Sequence, residues 1–179
     1  MNRISLAFLF AACALAQAGD WSLAVEVRHD DELCVSYEAR LDGSYLEVQA
    51  TLGSGWHTFA MDNKVRAEEK LAGKPALSID RATEITARAG LETEGPWYQT
   101  PPKDFSRPEL RWFSWGFDRQ ALFVTKVRRS GSIAATLTLK GQACTEKICK
   151  NVDVSIAVPA AKANAAAAST DLKDLVQVR

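Results

Sequence analysis

The sequence predicts an all-β fold, an immunoglobulin-like antiparallel β-sandwich with long loops. Three observations carry that expectation. Apolar and polar residues alternate with period two through most of the chain after residue 20, the signature of half-buried strands. The alternating runs are short and are separated by turn signals such as Asp42-Gly43 and Gly53-Ser54-Gly55. Helical periodicity is scarce, so the strands must bury their apolar faces against one another. A length of 179 residues suits one such domain.

Taken in order, residues Met1 to Ala18 read as a secretory signal peptide. Arg3 supplies a positive start, Ile4 to Leu15 is mostly apolar, and Ala16-Gln17-Ala18 is a small-x-small cleavage pattern. Cys13 follows two alanines, but Phe10 is a poor first lipobox residue, which argues against a lipid anchor at Cys13. The expected location is therefore periplasmic or secreted, where disulfides persist.

The sandwich is expected over residues 19–159. Its first strand places Trp21, Leu23, Val25 and Val27 on one face, and its second repeats the pattern with Leu33, Val35, Tyr37, Ala39 and Leu41. After the turn at Asp42-Gly43 the return strand carries Leu46, Val48, Ala50 and Leu52 inward, and Trp56 to Phe59 forms a short fourth run. Asn63 to Leu71 fits two helical turns with a thin apolar stripe. Further strands are expected at Ala76 to Ile79, Ala121 to Val127, Ile133 to Gly141 and Val152 to Val158. Gly90 to Pro108, rich in Gly and Pro, reads as a long irregular connection. From Ala160 the chain becomes alanine-rich, and residues 160–179 read as a flexible or weakly helical tail.

Composition narrows the function. Lys+Arg and Asp+Glu number 22 each, and that balance, with export, argues against nucleic acid as a partner. No run of 18 apolar residues occurs, so no membrane-spanning helix is expected. Of four cysteines, Cys13 would leave with the signal peptide. Cys34, Cys144 and Cys149 remain, an odd number that permits one pair and one free thiol.

The pair with the strongest signal is Cys144 and Cys149. Ile133, Ala135, Leu137 and Leu139 set the core face of the strand before the turn, so Gln142 and Cys144 point outward. Val152, Val154, Ile156 and Val158 set the core face of the strand after it, so Cys149 also points outward. The two cysteines then face each other across a hairpin with four residues between them. Opposed residues of an antiparallel pair have Cα atoms roughly 4.5–5.5 Å apart, within the range of a disulfide. Such a bridge closes a short loop and gains less chain entropy than a long-range one. An exposed hairpin bridge also suits thiol–disulfide exchange, because an incoming thiolate must reach a sulfur. Spacing alone leaves a plain stabilising disulfide and an exchange site equally open. Metal binding is disfavoured, because one C-x4-C with scattered His29 and His57 lacks a zinc ligand set. C-x-x-C-H and C-x-x-C are absent.

Two segments add a resemblance. Gly55-Trp56-His57-Thr58-Phe59-Ala60 and Gln142-Ala143-Cys144-Thr145-Glu146-Lys147-Ile148-Cys149 resemble the G-W-H strand and the Q-A-C…C hairpin of the N-terminal domain of the thiol:disulfide interchange protein DsbD family. The likeness runs from about Trp21 to Pro159. It implies an immunoglobulin-like periplasmic domain with one redox-active pair and no bound cofactor. Electrons would come from a thioredoxin-like protein or domain, here acting in trans, and pass to periplasmic oxidised proteins. Cys149 would carry the mixed disulfide and Cys144 would resolve it. The resemblance also implies a cap loop, assigned by chain order to Trp112, Phe113 and Trp115, with Phe113 as first choice for the shielding aromatic. This sequence departs from the family in having Lys150-Asn151 where prolines often follow the second cysteine, and Asp118 is the carboxylate nearest the cap run. The alternative is a non-enzymatic periplasmic binding or assembly module with a structural hairpin disulfide.

Three further features have two readings each. Cys34 falls on the polar face of its strand and is either covered and inert or a reactive thiol. His57 reads as a strand histidine that packs and hydrogen-bonds, with redox tuning or metal binding as the alternative. The aromatics Trp97, Tyr98, Phe105, Trp112, Phe113, Trp115 and Phe117 divide between the core and a partner groove.

Overall fold

The computed structural model describes residues 19–130, 135–160 and 170–179. The expected signal peptide, Ile133 and residues 161–169 of the alanine-rich stretch lie outside the described residues.

The chain folds as an antiparallel β-sandwich of the immunoglobulin-like kind. One sheet contains β1 (Val25–His29), β2 (Glu32–Asp42), β3 (Tyr45–Leu52), β9 (Gln120–Arg129), β6 (Leu91–Gln99) and β12 (Val176–Gln177), in that spatial order. The other contains β11 (Cys149–Val158), β10 (Ala135–Cys144), β4 (His57–Phe59), β8 (Trp115–Phe117) and β7 (Lys103–Asp104). A short strand, β5 (Glu84–Ala87), pairs with β10 along residues 137–140, on the edge that β4 occupies at Ala143 and Cys144.

The inward faces follow the alternation. Val35, Tyr37, Ala39 and Leu41 of β2 and Leu46, Val48, Ala50 and Leu52 of β3 are buried, as are Ala135, Leu137 and Leu139 of β10 and Val152, Ile156 and Val158 of β11. Trp56, Phe117 and Phe123 fill the space between the sheets. Burial pushes the Tyr37 hydroxyl up to about 12, because no water remains to solvate a phenolate. The β2–β3 hairpin turns at Gly43-Ser44, with Gly43 at φ 57°, a conformation that glycine adopts without a Cβ penalty.

The helical expectation for Asn63 to Leu71 is met by α1 (Asn63–Leu71), which stops where Ala72 turns left-handed at φ 48°. Its first residue fixes the neighbouring chain. The Asn63 side-chain amide donates to the Asp80 carbonyl at 3.0 Å and accepts from the Trp115 N–H at 2.7 Å. Gly116 of β8 packs so closely on β4 that a Cβ there would lie 2.0 Å from the Thr58 carbonyl oxygen. Only glycine lets β8 reach its hydrogen-bonding distance at this position.

Four expectations are corrected. The first strand starts at Val25 rather than Trp21, and Leu23 is 91% exposed. Ala76 to Ile79 forms no ladder; it crosses between elements, with Leu77 exposed and Ile79 resting on the core. Gly90 to Pro108 is largely strand, containing β6 and β7. Its Gly95-Pro96 pair sits where the β6–β9 register shifts, so the residues that read as loop punctuation belong to a bulge. Within the expected tail, residues 170–179 return to the sandwich. Val176 and Gln177 pair with Gln99 and Tyr98, the Val178 N–H donates to the Trp97 carbonyl at 2.9 Å, and Arg179 bonds Glu69 at 2.6 Å. The segment covers an edge of β6 that would otherwise stand open, which a strand of nine residues requires.

Candidate functional site

The β10–β11 hairpin is in register over ten residue pairs, ending with Cys144 opposite Cys149. Those two form a disulfide, with Cα atoms 4.0 Å apart. The four-residue turn is held by Thr145. Its N–H donates to the Ile148 carbonyl at 2.8 Å, and its hydroxyl accepts from the Lys147 and Ile148 N–H groups at 3.2 Å each.

The two cysteines are not equivalent. Cys149 is exposed, whereas Cys144 is 2% exposed. The expectation that both lie open on the solvent face is therefore corrected. β11 is a sheet edge and β10 is an inner strand: Cys144 has Cys149 on one side and His57 of β4 on the other. The Thr58 hydroxyl, donating to the Gln142 carbonyl at 2.8 Å, holds β4 against β10 at this end.

Directly opposed residues share a sheet face, so Cys149, Cys144 and His57 form a row across three strands. His57 is half-buried between two phenyl rings. Phe59 meets it edge-on at 5.3 Å and Phe105 lies over it at 5.1 Å, tilted by 31°. Burial lowers the imidazole's pKa below its ordinary value, against the opposing pull of Asp80 and Asp118. Beside the row is a cavity of about 350 Å³ lined by His57, Phe105, Arg107, Trp112, Asp118 and Glu146, among others.

The segment from Phe105 to Ser114 folds back on itself to make the cavity's outer wall. The Phe105 N–H donates to the Ser114 carbonyl at 2.9 Å, Arg107 bridges Trp112, and a 3-10 turn over Pro108–Leu110 joins the two arms. The Trp112 indole N–H donates to the Asp80 carboxylate at 2.7 Å, and the Arg107 guanidinium stacks over the same indole. Lys103 contacts both Asp118 oxygens at 2.7 Å, and this bond holds Asp118 below the usual carboxylate range.

Of the three aromatics assigned to a cap, only Trp112 lines this cavity. Phe113 lines a separate hollow with Lys70, Leu71, Lys74 and Arg111 at the α1 side, and Trp115 is buried in the core. Period-two alternation explains the split: Trp112 and Ser114 face the cavity, and Phe113 and Trp115 face away. Phe105, read only as one of a broad aromatic group, is the ring that covers His57. Its signal was the Asp104-Phe105-Ser106 run, hidden inside what read as an irregular connection.

Cys34 is fully buried, and desolvation raises its thiol pKa against the pull of Lys150. Of the two readings of Cys34, burial favours the covered thiol. Among the described residues no three His, Cys, Asp or Glu side chains cluster as metal ligands would.

Searched against known proteins, the chain matches no family model and no curated sequence. It does match solved structures. One is the N-terminal periplasmic domain of ScsB from Proteus mirabilis, at a TM-score of 0.52 and 15% identity. The match covers 77% of this chain and 50% of that one, so this chain spans about half the length of its neighbour. At that identity the likeness establishes the shared sandwich fold. Among the described residues no helix is long and apolar enough to cross a membrane.

Proposed function

We propose that this protein is a periplasmic thiol–disulfide exchange protein. It takes electrons from a thioredoxin-like donor and passes them to oxidised proteins through Cys144 and Cys149. The observation that carries the reading is the asymmetry of the bridge: one cysteine is exposed at a sheet edge and the other is buried beside a histidine. A purely stabilising bridge has no need of that distinction, whereas exchange depends on which sulfur is attacked. The resemblance of the hairpin to the DsbD N-terminal domain and the periplasmic origin of the structural neighbour support the same reading.

The chemistry follows from the geometry. A donor thiolate attacks the Cys149 sulfur, the Cys144–Cys149 bond breaks, and Cys144 leaves with the electron pair. The donor's second thiolate then attacks its own sulfur in the mixed disulfide and releases Cys149, so the donor is oxidised and the pair is reduced. In the forward half, the Cys149 thiolate attacks an acceptor disulfide and expels one acceptor thiolate. Cys144 next attacks Cys149, re-forms the bridge and expels the second. The segment from Phe105 to Ser114 acts as the shield that keeps Cys144 out of reach of outside thiols.

Trapping tests the assignment of roles. Cys144→Ser, incubated with a thioredoxin-like protein whose second active-site cysteine is replaced and whose first is activated as an aryl disulfide, accumulates a mixed disulfide on Cys149 that mass spectrometry maps to that residue, because neither partner keeps a thiol to resolve it. Failure to form any adduct, with the variant folded, contradicts the reading.

A further inference from the structure

We propose that His57 is the base that takes the proton from Cys144 when Cys144 resolves a mixed disulfide. The inference rests on the exchange reading above and adds a residue to it.

The position comes from strand register. His57 is the direct cross-strand partner of Cys144, and opposed residues of an antiparallel pair have Cβ atoms roughly 4.5–5.5 Å apart on one face. A reduced Cys144 and the imidazole are therefore immediate neighbours, at a cysteine that is 2% exposed in the oxidised protein. Water has little access there to remove a proton. An unassisted thiol, with a pKa of about 8.5, is only a few per cent thiolate at neutral pH. The resolving step requires the thiolate.

The surroundings suit a neutral base. Phe105 and Phe59 flank the ring, and burial lowers its pKa, which favours the neutral imidazole. The charged groups facing it come from several elements. Asp118, at the end of β8, is bound by Lys103 of β7. Asp80, before β5, is bound by the Trp112 indole. Arg107 and Glu146 line the adjoining cavity from the shielding segment and the cysteine turn. The two aspartates would stabilise the imidazolium formed on proton uptake, and their bonds to Lys103 and Trp112 moderate that pull.

The step balances. With the acceptor held on Cys149, His57 takes the Cys144 proton and Cys144 attacks the Cys149 sulfur. The Cys144–Cys149 bond forms, the Cys149–acceptor bond breaks, and the acceptor thiolate leaves with the electron pair. The imidazolium returns its proton to that thiolate or to solvent. The pair is oxidised and the acceptor disulfide is reduced.

The test uses the reduced full chain in a Cys13→Ser background, which removes the thiol outside the described residues, and an aryl disulfide probe, dithiobis-nitrobenzoate, in stopped flow. The first thionitrobenzoate released reports attack by Cys149, and the second reports displacement by Cys144. In the unaltered protein the second phase is fast at pH 7 and slows only as pH falls through the depressed pKa of His57. In His57→Phe, which keeps the ring contacts with Phe59 and Phe105, the second phase slows by about 10-fold or more at pH 7. It then rises steadily with pH toward the ordinary thiol pKa. His57→Gln, a polar side chain that is no base, behaves the same way. In both variants the first phase is unchanged. Second-phase rates and pH profiles equal to those of the unaltered protein in both variants overturn the role of His57 while leaving the exchange reading intact. Absence of a first phase in the unaltered protein overturns the exchange reading, and this inference with it.

Discussion

Replacing Cys149 by serine abolishes exchange with every thiol partner while leaving the fold in place. The bridge closes a loop of only six residues, counting both cysteines, which in the chain-entropy model constrains the unfolded chain by roughly 2 kcal/mol. The core between the sheets does not depend on it: Trp56, Phe117, Phe123, Leu137, Leu139 and Ile156 are all buried. Cys149→Ser should therefore melt cooperatively, a few degrees lower, with an unchanged circular dichroism spectrum. Among the described residues its remaining thiols are the buried Cys144 and the buried Cys34, so turnover of an oxidised acceptor by a thioredoxin-like donor falls to background. Retention of turnover in this variant would mean that another sulfur is the point of attack.

Phe105→Ala has the second largest effect, and it changes selectivity more than stability. Phe105 lies over His57 at 5.1 Å, and His57 is the cross-strand neighbour of Cys144. Removing the ring lets water reach the imidazole. Desolvation is the main cause of the lowered His57 pKa, so the value rises toward the ordinary one, about 6.5, in an NMR titration. The linkage has a definite sign. In the parent protein the unfolded chain binds the His57 proton more readily than the folded one, so stability falls as pH drops from about 6.5 through the lowered pKa. That slope is weakened in the variant. The same opening exposes the Cys144 sulfur. Glutathione adducts, confined to Cys149 in the parent, then appear on Cys144 as well. An unchanged His57 titration and adducts still confined to Cys149 would show that Phe105 shields nothing.

The features legible in the sequence were those that depend on local alternation. The inward faces of β2, β3, β10 and β11 follow from period-two patterning, and so does the facing of Cys144 and Cys149 across their turn. What escaped was everything set by strand order. Nothing in the local pattern places β4 beside β10, so the burial of Cys144 and the adjacency of His57 were invisible, although His57 itself stood out as a strand histidine. The place of Phe105 over His57 was missed because Gly95, Pro96, Pro101 and Pro102 gave β6 and β7 the texture of a loop. In the structure the first two sit at a bulge. Chain order suggested Phe113 for the cap, and the alternation that identified other strands would have turned Phe113 away from Trp112 had it been applied there. The return of residues 170–179 to β6 was unreadable for a similar reason. Two residues of pairing carry no periodic signal, and the partner edge is known only once the sheet is assembled.

The central claim is that the Cys144–Cys149 bridge is meant to be opened and closed. Its reduction potential, measured by equilibration of the full chain with glutathione or thioredoxin buffers, tests that claim most directly. Exchange proteins lie at roughly −120 to −270 mV, and structural disulfides of exported proteins below about −300 mV. The exchange account predicts a value in the first range. A value well below about −300 mV would mark a structural hairpin bridge and contradict the account.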